Sequence, residues 1–273
     1  MPENTFSYQS KTAGWTEDEN YSVEKYFINY NPNNIDDMGV RMADINGDGL
    51  LDLVRSHYYL DNSYYNLSLN DGDGTWTDIS SCSFPEYFSS NDTDKGVRLT
   101  DVNGDGMADF LISKLDNGGA TQEVYINNGD FSDCSFWEED ESYTIPVYFV
   151  RTENPVQDYG VRIADVNGDG LPDILRSHYY SDTSYKAVYI NDGDGTGWTF
   201  DDSYTIPEYF LSGTADQGVR LEDVNGDGLV DILKSYDNGG DVKAVYINKG
   251  DGTGWEEDPN YSIPIVFSGT NPV

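Results

Sequence analysis

Basic residues are scarce in this chain. Lys and Arg total 15 against 50 Asp and Glu, for a formal charge of −35. Nucleic acids and anionic membranes attract basic surfaces, so neither is an expected partner. The imbalance favours cations instead, because compacting so acidic a chain costs self-repulsion unless cations bind. Long apolar runs are missing too. None approaches the roughly 18 residues of a membrane helix, so no membrane span is expected. The N-terminus, MPENTFSYQSK, lacks the charged and apolar regions of a secretion signal. Either a leader has been removed or the chain is an excerpt of a longer one. Cysteine is nearly absent: Cys82 lies in SSCSF and Cys134 in SDCSF. A Cys82–Cys134 disulfide fits a secreted protein; the alternative is two free thiols. No segment sustains a 3.6-residue apolar period with helix caps. Catalytic signatures are missing as well: no Gly-x-Ser-x-Gly elbow, no His-rich zinc motif and no phosphate loop. Carboxylates are so abundant that choosing two as a glycosidase pair is arbitrary. The expectation is a protein that is not an enzyme.

What the chain does have is tyrosine (22), glycine (28) and a long internal period. Trp15, Trp76, Trp137, Trp198 and Trp255 mark it, in steps of 61, 61, 61 and 57 residues. Each of the first four Trp residues is followed by a Tyr or Cys, usually a Pro, an aromatic pair such as Tyr148-Phe149, and then Gly-Val-Arg. The units run 15–75, 76–136, 137–197 and 198–254. Residues 1–14 read as the terminal strand of a partial unit, and residues 255–273 as the start of another. Within one unit, residues 160–166, 171–180 and 186–190 read as short antiparallel strands separated by Gly- and Asp-rich turns. Three to four such strands per unit, at this period, predict an all-β, β-propeller-type repeat. A second level is visible. Units one and three share RSHYY (55–59, 176–180), and units two and four share DNGG (116–119, 237–240), as if a two-blade ancestor had been duplicated.

After each Gly-Val-Arg comes an acidic loop: DINGDGLLD at 44–52, DVNGDGMAD at 101–109, DVNGDGLPD at 165–173 and DVNGDGLVD at 223–231. Asp, Asn and Asp fall at loop positions 1, 3 and 5, Gly at 6 and Asp at 9. Hard cations such as calcium take about six to eight oxygen ligands, and alternate residues of a curled loop can aim oxygens at one centre. Glycine makes the sharp turn without steric cost. An EF-hand needs a bidentate Glu at position 12. Arg55, Ile112, Arg176 and Lys234 stand there and exclude it. The D-x-N-G-D-G-x-x-D loops, each followed by a β-rich stretch, resemble FG-GAP and VCBS repeats, as in integrin α-subunit propellers. Because Phe-Gly and Gly-Ala-Pro signatures are absent, the match is nearer the VCBS-like branch. The resemblance covers most of residues 15–254 and implies a propeller with one calcium per blade, about four ions. Carried onto this chain, the first set of ligands is Asp44, Asn46, Asp48 and Asp52 with the Leu50 carbonyl. The second is Asp101, Asn103, Asp105 and Asp109 with the Met107 carbonyl. Asp165, Asn167, Asp169 and Asp173 with the Leu171 carbonyl make the third, and Asp223, Asn225, Asp227 and Asp231 with the Leu229 carbonyl the fourth.

Weaker signals stand beside blander readings. NDGDG (70–74, 191–195) reads better as a tight hairpin turn than as a second cation site. The repeated Trp residues read better as packing than as sugar platforms. Arg41, Arg98, Arg162 and Arg220 recur three residues before each loop and read as partners of nearby acids rather than as a carboxylate-binding ring. His57 and His178 hold equivalent repeat positions. Sequons at Asn20, Asn66, Asn91 and Asn260 are candidate glycosylation sites. The expected function is a non-catalytic, extracellular or cell-surface calcium-binding propeller for adhesion, surface structure or assembly, with self-assembly through the terminal partial units as one form. The alternatives are a lectin-like carbohydrate-binding propeller or accessory module of a polysaccharide enzyme, and a scaffold segment of a secreted toxin shell. The sequence leaves open which protein or glycan ligand is bound.

Overall fold

The structure, a computed structural model, describes residues 26–31, 34–79, 82–131, 135–153, 156–237 and 239–269. The partial unit expected at 1–14, together with Trp15, Asn20 and Cys134, lies outside the described residues. Among those described there is no helix. Everything is short strand and tight turn, as the alternating patterning and the Gly/Asp-rich breaks require.

A small hairpin comes first, β1 (Ile28–Asn31) with β2 (Asn34–Asp37). Four sheets follow. Sheet 1 contains β3 (Val40–Ala43), β4 (Asp52–Tyr59), β5 (Asn62–Asn70), β6 (Trp76–Ile79), β7 (Ser89–Ser90) and β8 (Thr93–Asp94). Sheet 2 repeats this with β9 (Val97–Thr100), β10 (Asp109–Asp116), β11 (Gly119–Asn127), β12 (Trp137–Glu139), β13 (Val150–Arg151) and β14 (Gln157–Asp158). Sheet 3 has β15 (Val161–Ala164), β16 (Asp173–Tyr180), β17 (Thr183–Asn191), β18 (Trp198–Asp201), β19 (Leu211–Ser212) and β20 (Ala215–Asp216). Sheet 4 has β21 (Val219–Glu222), β22 (Asp231–Asp237), β23 (Asp241–Asn248), β24 (Trp255–Glu257) and β25 (Ser268–Gly269). This is the four-blade, all-β propeller arrangement expected from the repeats.

The sheets are out of phase with the Trp-marked units. Trp76, Trp137, Trp198 and Trp255 each open the last long strand of the sheet before them, so residues 255–269 complete sheet 4 rather than begin another. One edge of the second strand is shared. In sheet 2, β9 pairs antiparallel along residues 109–112, and β13 then pairs in parallel at Lys114 and Leu115. The handover is tight: a Cβ on Gly96 would sit 2.6 Å from the Ser113 carbonyl, and its φ is +73°. Only glycine meets both demands.

Three apolar clusters lie between consecutive sheets. Ile45, Val54 and Leu67 of sheet 1 meet Phe110 and Ile112 of sheet 2, with Phe84 and Phe88 of the connecting segment between them. Phe88 and Phe110 stack at 5.3 Å between ring centroids, a contact worth about 0.5–1.5 kcal/mol beyond its buried area. Val102, Leu111 and Val124 do the same against Val161 and Ile174 of sheet 3, and Val166, Leu175 and Val188 against Val219 and Ile232 of sheet 4. Trp198 and Trp255 are buried in these clusters, each donating Nε1 to a backbone carbonyl at 2.7 Å. Trp137 packs edge-on against Phe110. Cys82 is buried and disulfide-bonded.

Candidate metal centres

Each acidic loop joins the first two strands of its sheet and has one architecture. In loop 1, Asp44 accepts the amides of Gly47 (2.8 Å) and Gly49 (2.7 Å). Asn46 accepts the Asp48 amide at 3.0 Å and donates Nδ2 to the Asp48 carboxylate at 2.9 Å. Asp48 in turn accepts the Leu50 amide at 2.8 Å. The pattern recurs around Asp101, Asn103 and Asp105, around Asp165, Asn167 and Asp169, and around Asp223, Asn225 and Asp227. These are Asx turns in series, which is why Asp and Asn alternate with glycine. They hold positions 1, 3 and 5 together on an exposed crest.

The position-9 aspartates behave differently. Asp52, Asp109, Asp173 and Asp231 are fully buried. Asp173 accepts the Val166 amide (2.9 Å) at loop position 2 and the Asn191 amide (2.8 Å) at the end of the third strand. The other three make the same two bonds. Each is a latch tying the loop to β5, β11, β17 or β23. Burial pushes the carboxyls of Asp109 and Asp173 up to about 7, with the neighbouring loop aspartates adding to the rise; Asp52 and Asp231 are raised for the same reasons. Nothing in the motif signalled this role, since the amide at strand end is 17 or 18 residues away.

The donors at positions 1, 3, 5 and 9 are all oxygen, which suits a hard cation. A carboxylate oxygen that accepts one N–H retains a further lone pair. Among the described residues, no three His, Cys, Asp or Glu side chains converge as a metal cluster. The asparagine between the two exposed carboxylates and the inward turn of the fourth account for that. The side chains of Met107, Leu171 and Leu229, at position 7, point to the preceding loop: each is the nearest neighbour of a Cβ built on Gly47, Gly104 or Gly168.

Asparagines at strand ends stitch the sheets together. Asn127 Nδ2 donates to the Ile45 carbonyl (2.7 Å), Asn191 to Val102 (3.0 Å) and Asn248 to Val166 (2.8 Å), each acceptor being position 2 of the preceding loop. The loops therefore belong to inter-sheet junctions as much as to their own hairpins.

The weaker candidates resolve as follows. Arg41, Arg98, Arg162 and Arg220 pair with Asp37, Asp94, Asp158 and Asp216 at 2.7, 3.0, 3.8 and 3.2 Å. Arg41, Arg98 and Arg162 also share one cleft of about 450 Å³ on the inner strands. NDGDG at 70–74 is a turn closed by Asp71 and Asp73 accepting Thr75 Oγ1. His57 and His178 are buried, and burial lowers the His178 pKa. Among the sequons, Asn66 is half-buried and bonded to Asp78 and Ser68. Asn91 and Asn260 are exposed. No helix among the described residues is long and apolar enough to cross a membrane.

Several known proteins are similar to this chain. A T-cell immunomodulatory protein homolog from Plasmodium yoelii yoelii is 24% identical over 292 residues, covering 88% of this chain and 38% of its own length. The chain thus spans well under half of that relative. An Agrocybe aegerita lectin structure, described as recognising non-reducing terminal N-acetylglucosamine, superposes with a TM-score of 0.48 at 23% identity, over 81% of this chain and 50% of the lectin. The Photorhabdus luminescens Tc holotoxin pore superposes at 0.49 and 19% identity, over 82% of this chain and 10% of the toxin chain. The FG-GAP-like repeat family matches residues 44–112, 101–176 and 165–234, each match opening on the first aspartate of a loop and running through the strands it latches. With four sheets each opening on such a loop, the chain belongs to the FG-GAP-like repeat family.

Proposed function

We propose that this chain is a non-catalytic, calcium-stabilised propeller segment of an extracellular protein, serving adhesion, surface structure or assembly. The observation that carries the reading is the fourfold loop: an all-oxygen crest held by backbone amides in a chain of charge −35. Asp44, Asn46 and Asp48 and their counterparts in the other loops would hold the ion, with Asp52, Asp109, Asp173 and Asp231 beneath. Bound calcium would neutralise two like charges per loop and stiffen the inter-sheet junction. The disulfide at Cys82 supports an oxidising, extracellular setting.

Chelation tests the proposal. Removing calcium with EDTA is expected to lower the melting temperature by at least 10 °C, as order of magnitude, since several sites act through linkage. Added salt should recover part of the loss by screening the acidic surface. A melt that is identical in calcium and in EDTA would rule out structural calcium. Native mass spectrometry in calcium is expected to show about four bound ions.

A further inference from the structure

Three junctions repeat one design, and the outer flank of sheet 4 carries that design without a neighbour among the described residues. At the internal junctions, position 2 of the loop is fully buried (Ile45, Val102, Val166), as are Val54, Leu111 and Leu175 of the second strand and Phe88, Phe149 and Phe210 of the connecting segment. Their counterparts on sheet 4 are Val224, Leu233 and Phe267, and all three are only partly buried. A Cβ on Gly226 would meet nothing within 4 Å, whereas those on Gly47, Gly104 and Gly168 meet the position-7 side chain of the next loop. Among the described residues, no asparagine amide reaches the Val224 carbonyl. Ile265 stands at the place of Val147; Val147 is 6% exposed and Ile265 62%.

Sheet 1 carries the complementary groups. Asn70 is the counterpart of Asn127, Asn191 and Asn248, but its Nδ2 turns to the Leu51 carbonyl of its own loop at 3.3 Å. Leu50, the position-7 side chain, is 37% exposed. Chemistry also selects which sheet fits. Junctions 1–2 and 3–4 pair Glu86 with Lys114 and Glu208 with Lys234. Junction 2–3 instead sets aliphatic Val147 beside a sheet whose Arg176 is stacked on Tyr185. Ile265 continues the aliphatic series and calls for a sheet of the Arg-Ser-His type. Sheet 1 is one, with Arg55 stacked on Tyr64 at 4.8 Å.

We infer that the outer flank of sheet 4 binds sheet 1 of a second copy, so that chains associate head to tail. The contact is heterologous and can propagate. Val40 and Leu53 of sheet 1 are already covered within one chain, so docking exchanges one cover for another. That makes the association weak and concentration-dependent.

Sedimentation equilibrium of the full chain in calcium, from about 2 to about 200 µM, spans the range where such an interface populates. The expected mass rises from the 30.5 kDa monomer toward dimers and higher multiples. Ile265→Lys and Met42→Asp alter exposed side chains on opposite flanks, Met42 standing where Leu99, Ile163 and Leu221 pack into the junctions before their own sheets. Each is expected to weaken association at least tenfold while leaving the melting curve of the dilute protein unchanged. Mixing the two variants leaves one intact flank on each, so the mixture should form a dimer and stop there. A wild-type protein that stays at 30.5 kDa throughout overturns the inference. So does association indifferent to both variants, or a mixture that remains monomeric.

Discussion

Asn127 offers the sharpest test of how the sheets are joined. Its buried side chain makes three bonds: Nδ2 to the Ile45 carbonyl (2.7 Å) in the preceding loop and to Ala108 (3.3 Å), and Oδ1 from the Gly129 amide (3.0 Å). Asn127→Ala strips the partner from the buried Ile45 carbonyl, at a cost of about 1–3 kcal/mol. Gly129 is half-exposed, so water recovers part of what its amide loses. Together with the small cavity, the expected loss is about 2–4 kcal/mol. Asn70→Ala is the internal control. The same residue type at the same repeat position bonds only within its own hairpin, at solvent-exposed sites, so its loss should stay below about 1 kcal/mol. Urea denaturation of dilute protein in calcium, followed by tryptophan fluorescence, reads both, with midpoints compared at unchanged slope. If Asn70→Ala costs as much as Asn127→Ala, or if Asn127→Ala costs less than about 0.5 kcal/mol, the asparagine is not an inter-sheet stitch.

Three further outcomes follow from the same geometry. Asp173→Ala leaves the Val166 and Asn191 amides without acceptors; a loss of about 3–5 kcal/mol is expected, and it should persist in EDTA if the aspartate is a latch as well as a ligand. Gly96→Ala, with φ at +73° and a Cβ contact of 2.6 Å, should cost well over 2 kcal/mol in melting experiments, as a rough bound, whereas Gly106→Ala, open on all sides, should cost about 1. Reducing the disulfide at Cys82 should destabilise the protein by about 2–4 kcal/mol, and a melt indifferent to reductant would refute a structural role for it.

The strands and loops were legible because their signals are local. Asx turns, glycine at position 6 and alternating apolar residues act within a few bonds, so Asp44–Asp48 and its three counterparts read directly from the chain. The ion pairs of Arg41, Arg98 and Arg220 were equally readable, since each acid lies four residues back. The roles of Asp173 and Asn191 were not. Asn191 bonds a carbonyl 89 residues away, and no pattern along the chain shows which backbone atom a distant fold will leave in want of a donor. The phase of the sheets was hidden for a similar reason. Tryptophan is the most visible marker of the period, but strand pairing, not the marker, decides where a sheet begins.

The alternation of junction chemistry has a consequence for biogenesis. Four sheets of nearly the same sequence emerge in order, and each could dock on the wrong predecessor. Glu86 and Glu208 match lysine-bearing sheets, while Val147 matches one whose arginine is already stacked. A sheet seated one place out of order would bury Lys114 or Lys234 without its glutamate, and a buried cation robbed of its partner costs about 3–5 kcal/mol. Neighbouring blades are therefore kept from trading places while the chain is still being made.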